Sequence, residues 1–168
     1  MTEDAIVYRP IGRIHTPFAQ AEGAPIQPAG ARDVAGTIVL EPELVPGLAD
    51  LAGFSHLILL YHCHLSGEAK LQVKPFLDPT PRGVFATRAP ARPNPLGLSV
   101  VRLAGIEGNV LHILDVDMLD NTPLLDLKPY VPAFDSPPDS IRTGWLAGLA
   151  SQARETRADG RFVGEGEG

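Results

Sequence analysis

The stretch LSVVRLAGIEGNVLHILDVDML, Leu98 to Leu119, decides the fold. Apolar and polar residues alternate on both sides of Glu107, Gly108 and Asn109, and those three tolerate the positive φ of a tight turn. The pattern predicts a β-hairpin. The same period of two and the same β-branched enrichment recur in AIVYRPIGRIHT (Ala5 to Thr16), VAGTIVLEP (Val34 to Pro42) and FSHLILLYHCH (Phe54 to His64), all read as strands. Helical signal is thin. PELVPGLADLAG (Pro42 to Gly53) suits a turn or two of helix, and SPPDSIRTGWLAGLASQ (Ser136 to Gln152) suits a C-terminal helix capped by Asp139 or Ser140.

The 17 prolines and 17 glycines lie mostly between the strands, so strands are short and loops numerous. With few helices to cover its faces, a sheet removes its edges most simply by closing on itself. The expected fold is all-β, a small β-barrel with a few short helices. A chain of 168 residues suits a single domain, taken as residues 1–150, and the ordered motifs quoted below give it a core at 6–135. The remaining 151–168, ending in the polar, glycine-rich ADGRFVGEGEG, is expected to be a flexible tail.

One cysteine, Cys63, excludes an internal disulfide framework and a cysteine-rich zinc site. The acidic MTEDAIVYRP lacks the basic and apolar regions of a signal peptide, and the run His56 to Leu65 is too short for a membrane span. These readings predict a cytoplasmic protein with no membrane partner. The net charge of −6 hides an asymmetry. Between Ala69 and Ala104, Lys70, Lys74, Arg82, Arg88, Arg92 and Arg102 face Asp78 alone, a local +5 that leaves −11 for the rest. That segment is the candidate surface for a polyanion.

Three constellations carry chemistry. In GVFATRAPARPNPLG (Gly83 to Gly97), Pro90, Pro93 and Pro95 stiffen the backbone around Arg88 and Arg92, presetting two guanidinium donors for a carboxylate or phosphate. A rigid surface loop with solvated arginines is the equal alternative. His56, His62 and His64 share one face of an extended strand. They suit the polar wall of a pocket better than a metal site, since no acidic or cysteine ligand joins them there. Asp115 to Tyr130, DVDMLDNTPLLDLKPY, alternates carboxylates with apolar residues around an Asp120-Asn121 turn, where Asp120 either caps backbone amides or faces a ligand. The sequence has no glycine-rich dinucleotide fingerprint, P-loop or nucleophile elbow, which argues against a Rossmann fold.

Five motifs in order, IGRIHTP (11–17), PIQP (25–28), LAGFSHLILLYHCH (51–64), GVFATRAPARPNPLGLS (83–99) and LDNTPLLDLKPYVP (119–132), resemble the TsaA-like β-barrel family, whose characterised members, the TrmO group, methylate N6 of threonylcarbamoyladenosine in tRNA. The resemblance implies a homodimeric methyltransferase that uses S-adenosylmethionine on a non-Rossmann barrel, in a short form without the C-terminal domain of longer members. It places cofactor contacts at Pro25, Ile26 and Gln27, at His64 and Leu65, at Arg88, at Leu98, and at Met118, Leu119, Asp120 and Asn121. The implied acceptor is the modified adenosine at position 37 beside the tRNA anticodon, with no role for DNA.

Two positions depart from the family pattern: Asn121 replaces a glycine in a turn that asparagine tolerates, and Leu65 replaces a glutamine. The expected catalytic residues are His64 or Asp120 as the base and Arg92 on the acceptor or RNA side, with Arg88 toward the cofactor. The competing readings are a methyltransferase of this fold acting on a small molecule or another RNA, and a non-catalytic module that binds S-adenosylmethionine.

Overall fold

The computed structural model describes residues 4–164. Six antiparallel strands form the barrel: β1 (Gly12–His15), β2 (Ala35–Leu40), β3 (His56–His62), β6 (Leu96–Glu107), β7 (Val110–Leu114) and β8 (Thr122–Pro129). Their spatial order is β1-β2-β7-β6-β3-β8, and β8 closes the ring by pairing with β1. A separate two-stranded hairpin joins β4 (Gln72–Val73) to β5 (Arg82–Gly83), and a single α-helical turn, α1 (Pro132–Asp135), follows β8. The all-β barrel expected from the sequence is the fold found.

The deciding hairpin is β6–β7, closed at the Glu107 and Val110 pair. Gly108 lies at φ +59°, the conformation that glycine adopts without a Cβ penalty. Alternation then fills the interior: Ile14, Ile38, Leu57, Leu59, Val101, Leu111, Ile113 and Leu124 are all but fully buried, one face from every strand. Each such burial stabilises the barrel by about 1.5–3 kcal/mol. Gly12 permits the tight β1–β2 approach, since a Cβ there would sit 2.4 Å from the Val39 carbonyl oxygen.

Three expectations are corrected. The first strand begins only at Gly12, and Ile6, Val7 and Tyr8 before it are exposed. Pro10 interrupts the run and has no N–H to donate to a ladder. Ser136 to Gln152 forms no α-helix but two 3-10 turns, Gly144–Leu146 and Ala150–Arg154. Gly144 and Gly148 take φ of +54° and +77°, which no right-handed helix contains, so Asp139 and Ser140 cap nothing helical.

The third correction concerns the tail. Residues 151–164 fold back over the barrel end, with Arg157 bridged to Pro25 and Val163 to Ser66. Phe162 is buried in a second apolar cluster with Val73, Val84, Ala89 and Ala91, and its ring meets Phe76 edge-on at 5.1 Å. That aromatic anchor, the buried Ala153 and the backbone hydrogen bonds to Ala24, Leu65 and Gly67 together hold a segment whose polar composition suggested that it would be loose. Residues 165–168 of the expected tail lie outside the described residues.

Candidate active site

The barrel is open at the end where β3 stops and β6 starts. Five further segments enclose a cleft of about 1100 Å³ there: the loop at Pro25 to Gln27, the β4–β5 connection at Pro75 to Leu77, the proline-arginine loop, the β7–β8 connection and the returning C-terminal segment. Ile26, Leu65, Phe85, Leu98, Met118 and Leu119 supply an apolar lining, with Gln27, His64, Arg88, Arg92 and Asp117 among the polar groups. That combination of apolar wall and a few convergent polar groups is what small-molecule sites present.

The proline-arginine loop is held by its small residues and its own carbonyls. Ala89 and Ala91 are buried under it, while the Ser66 hydroxyl donates to the Pro90 carbonyl at 2.8 Å. Arg92 donates through Nη1 to the carbonyls of Thr87 and Ala89 at 3.0 and 3.2 Å, so part of its guanidinium fastens the loop itself. Arg88 is exposed and donates through Nη1 to Gln27 Oε1 at 3.0 Å. This bond ties the proline-arginine loop to the Pro25–Gln27 loop across the cleft wall.

Nine of the expected cofactor positions, Pro25, Ile26, Gln27, His64, Leu65, Arg88, Leu98, Met118 and Leu119, line this one cleft, and Arg92 lines it too. Asp120 and Asn121 are not in the lining. Asp120 accepts the Thr16 N–H at 3.0 Å and stands 3.4 Å from His15 Nδ1. Its carboxyl is held below the usual range, chiefly by that backbone N–H, so it behaves as the turn-capping group of the two readings. Asn121 sits at φ +62°, the left-handed conformation expected of it, and its carbonyl accepts from Arg13. Burial lowers the His64 pKa, reinforced by Arg13 and His62.

The basic segment is partly neutralised by folding. Arg82 pairs with Asp78, and Arg102 pairs with Asp33 and Asp115. Lys70, Lys74, Arg88 and Arg92 have no such ion pairs among the described residues, which leaves a smaller basic set than the count of +5 implied. Among the described residues, no group of three histidine, cysteine or acidic side chains is arranged to hold a metal. No helix among them is long and apolar enough to cross a membrane.

Sequence reading missed a polar chain at the cleft floor. Ser99 Oγ donates to Asp117 Oδ1 at 2.7 Å and lies 2.9 Å from the Tyr61 hydroxyl. Burial pushes the Asp117 carboxyl up to about 6, although the hydrogen bond from Ser99 opposes the shift. Burial and the nearby Asp117 likewise push the Cys63 thiol up to about 11, which leaves it unreactive at neutral pH. The available signal was an acid set between Val116 and Met118, both buried. Alternation alone did not show which way it pointed.

The chain spans 60–64% of three solved TrmO structures that it resembles. One superposes with a TM-score of 0.71 at 39% identity over 86% of this chain. Another, TrmO from Pseudomonas aeruginosa, gives 0.69 at 40% identity over 84%. A relative named as a probable S-adenosyl-L-methionine-binding protein of Pyrococcus abyssi is 52% identical across 94% of this chain and 85% of its own length. The mouse tRNA (adenine(37)-N6)-methyltransferase is 36% identical across 79% of this chain but only 32% of its own length. The sequence profile of the tRNA-methyltransferase O N-terminal domain matches residues 13–136, which takes in all six barrel strands but for Gly12 at the start of β1, and the chain belongs to that family.

Proposed function

We propose that this protein is an S-adenosylmethionine-dependent methyltransferase that methylates N6 of threonylcarbamoyladenosine at position 37 of tRNA. The observation that carries the reading is convergence: nine of the eleven positions expected to contact the cofactor, drawn from five separate chain segments, line one cleft. The donor set suits the cofactor. The apolar wall of Ile26, Leu98, Met118 and Leu119 accepts a nucleoside base, and the Gln27 amide and Arg88 guanidinium offer partners for hydroxyl and carboxylate groups. When bound, S-adenosylmethionine supplies a methyl group on a positively charged sulfur.

The chain's own part is alignment and charge. The barrel floor and the two linked loops hold the reacting groups in line, which supplies much of the acceleration of an in-line displacement. The Arg92 donors not used by the loop offer a partner for the carboxylate of the threonyl group, and the exposed Lys70 and Lys74 a partner for anticodon-loop phosphates. The assembly we propose is the homodimer that the family resemblance implies. The setting we propose is the cytoplasm.

The test is transfer of labelled methyl from S-adenosylmethionine to tRNA from cells able or unable to make the threonylcarbamoyl modification. Incorporation only into the modified pool supports the reading. Binding of the cofactor with transfer to neither pool overturns it in favour of another acceptor or a non-catalytic module.

A further inference from the structure

Asp117 brings a carboxylate to the cleft floor that none of the assigned contacts uses. It follows β7 after Asp115, whose φ of +71° ends the strand and turns the chain inward. Ser99, 2% exposed, holds Oδ1. An ionised carboxylate only accepts hydrogen bonds, so the Ser99 hydrogen points at Asp117 and the Tyr61 phenol must donate to Ser99. Burial, with the nearby Asp117 charge, keeps that phenol protonated far above neutral pH, which makes it a constant donor. Gly97 locks the ring in turn, since a Cβ there would lie 2.0 Å from Tyr61 Cε2.

The carboxylate is therefore aimed before any ligand arrives, and among the described residues no side chain donates to its second oxygen, Oδ2. The charged and titratable groups around it are Tyr61 and Cys63 at the end of β3, and Arg88 and Arg92 in the proline-arginine loop. Both arginines have hydrogen bonds elsewhere, Arg88 to Gln27 and Arg92 to loop carbonyls. An oriented carboxyl that titrates near 6, open to the cleft on one oxygen, has the properties of a general base at neutral pH. Asp120 lacks them, being outside the lining and held by Thr16.

We propose that Asp117 is the catalytic residue that takes the proton from the acceptor nitrogen during methyl transfer, with Ser99 and Tyr61 as its positioning residues; this rests on the methyl-transfer reading above. In the step, the nitrogen–carbon bond forms as the carbon–sulfur bond breaks, and the bonding pair stays on sulfur. The nitrogen's proton moves to Asp117 Oδ2 and leaves to water after product release. The acceptor nitrogen belongs to a urea-like group with a delocalised lone pair, so removing its proton restores the nucleophile.

The experiment uses the full chain as wild type, Asp117→Asn and Ser99→Ala, in three measurements. Carbon-13 NMR follows the aspartate carboxyls against pH, calorimetry gives affinities for S-adenosylmethionine and S-adenosylhomocysteine, and single-turnover transfer to threonylcarbamoylated tRNA is measured from pH 5 to 9. One carboxyl should titrate near 6 in the wild type and vanish in Asp117→Asn. That variant should bind both ligands within about threefold of wild type yet transfer methyl about 100-fold more slowly or worse, without the acid limb. Ser99→Ala should move the titration and the acid limb upward together, because the lost hydrogen bond favoured the ionised form.

A transfer rate in Asp117→Asn within threefold of wild type, or an unchanged acid limb, overturns the role. So does a loss of affinity confined to S-adenosylmethionine, which would make Asp117 the counter-charge of the sulfonium instead. A wild type that binds the cofactor but methylates no tRNA overturns the methyl-transfer reading itself. A wild type that methylates while Asp117→Asn matches it overturns only the proposal made here.

Discussion

The barrel and the C-terminal segment from Gly144 to Gly164 build one cleft from opposite kinds of stability. The barrel is closed, so every strand has two hydrogen-bonded neighbours, and its core draws buried side chains from all six strands. The C-terminal segment has only Ala153 and Phe162 buried, and it reaches the rest of the chain through backbone bonds at Gly23, Ala24, Leu65 and Gly67, through Arg161, which donates to the carbonyls of Lys74 and Pro75, and through Trp145, whose Nε1 donates to the Ala86 carbonyl and whose ring lies under Arg82. A wall attached by so few contacts opens at lower free energy than the floor it covers. The difference teaches that the cleft has a rigid half, holding Ser99 and Asp117, and a releasable half.

The largest effect on unfolding should come from the rigid half. Leu59 is fully buried in β3, which pairs with β6 on one side and β8 on the other, so its neighbours are held by two ladders and can relax only partly into a cavity. Leu59→Ala should lower the urea unfolding free energy by about 2–5 kcal/mol, with loss of barrel and cleft in one transition. Two separated transitions in the wild type, with the larger unaffected by Leu59→Ala, would show that the rigid half is not the barrel.

Asp117 offers a second probe of the same half, and its sign is opposite. Its folded pKa, about 6, lies above the ordinary aspartate value, so the native state holds a proton that the unfolded chain releases first. The resulting penalty is absent at low pH, grows as pH rises through the interval between the two values, and is complete above about 6. Asp117→Asn should therefore stabilise the unliganded protein above neutral pH, by on the order of 2 kcal/mol, with the gain fading as the pH is lowered toward 4. Thermal unfolding at several pH values checks this. A variant less stable at pH 8 than wild type would mean that the carboxylate is tied into the barrel by contacts stronger than Ser99 supplies.

What could be read in advance follows the same division. Alternation and turn chemistry are local, so β2, β3, β6 and β7 and the Gly108 turn were visible in the residues, and closure followed from the lack of helices to cover the edges. The expected cofactor positions are what the family resemblance implies, and the barrel end gathers nine of them. The C-terminal segment was misread because Trp145, Leu146 and Leu149 have helical spacing, whereas Gly144 and Gly148 override it with positive φ. The burial of Phe162 depends on a pocket made by residues some 70–90 positions earlier, which no local window contains. Asp117 was passed over for a related reason: the break at Asp115 ends the alternation, and only the folded register brings Ser99 beside it.

The smallest expected effect on global unfolding sharpens the comparison most. Phe162 fills the second cluster against Val84, Ala89 and Phe76, and truncating an aromatic in a cooperative core costs about 3–5 kcal/mol. In a releasable segment the measured loss is capped by the free energy with which the segment docks, since the barrel stays folded after it lets go. Phe162→Ala should therefore lower barrel stability by less than about 1 kcal/mol while weakening S-adenosylhomocysteine binding about tenfold, because Ala158, Asp159, Phe162 and Val163 all line the cleft. Hydrogen exchange should show faster exchange at the amides of Gly67, Ala158 and Gly164, which bond across the joint, with β3 and β6 unchanged. If instead Phe162→Ala matches Leu59→Ala in global unfolding, the C-terminal segment belongs to the barrel's own cooperative unit. The cleft then has no releasable wall.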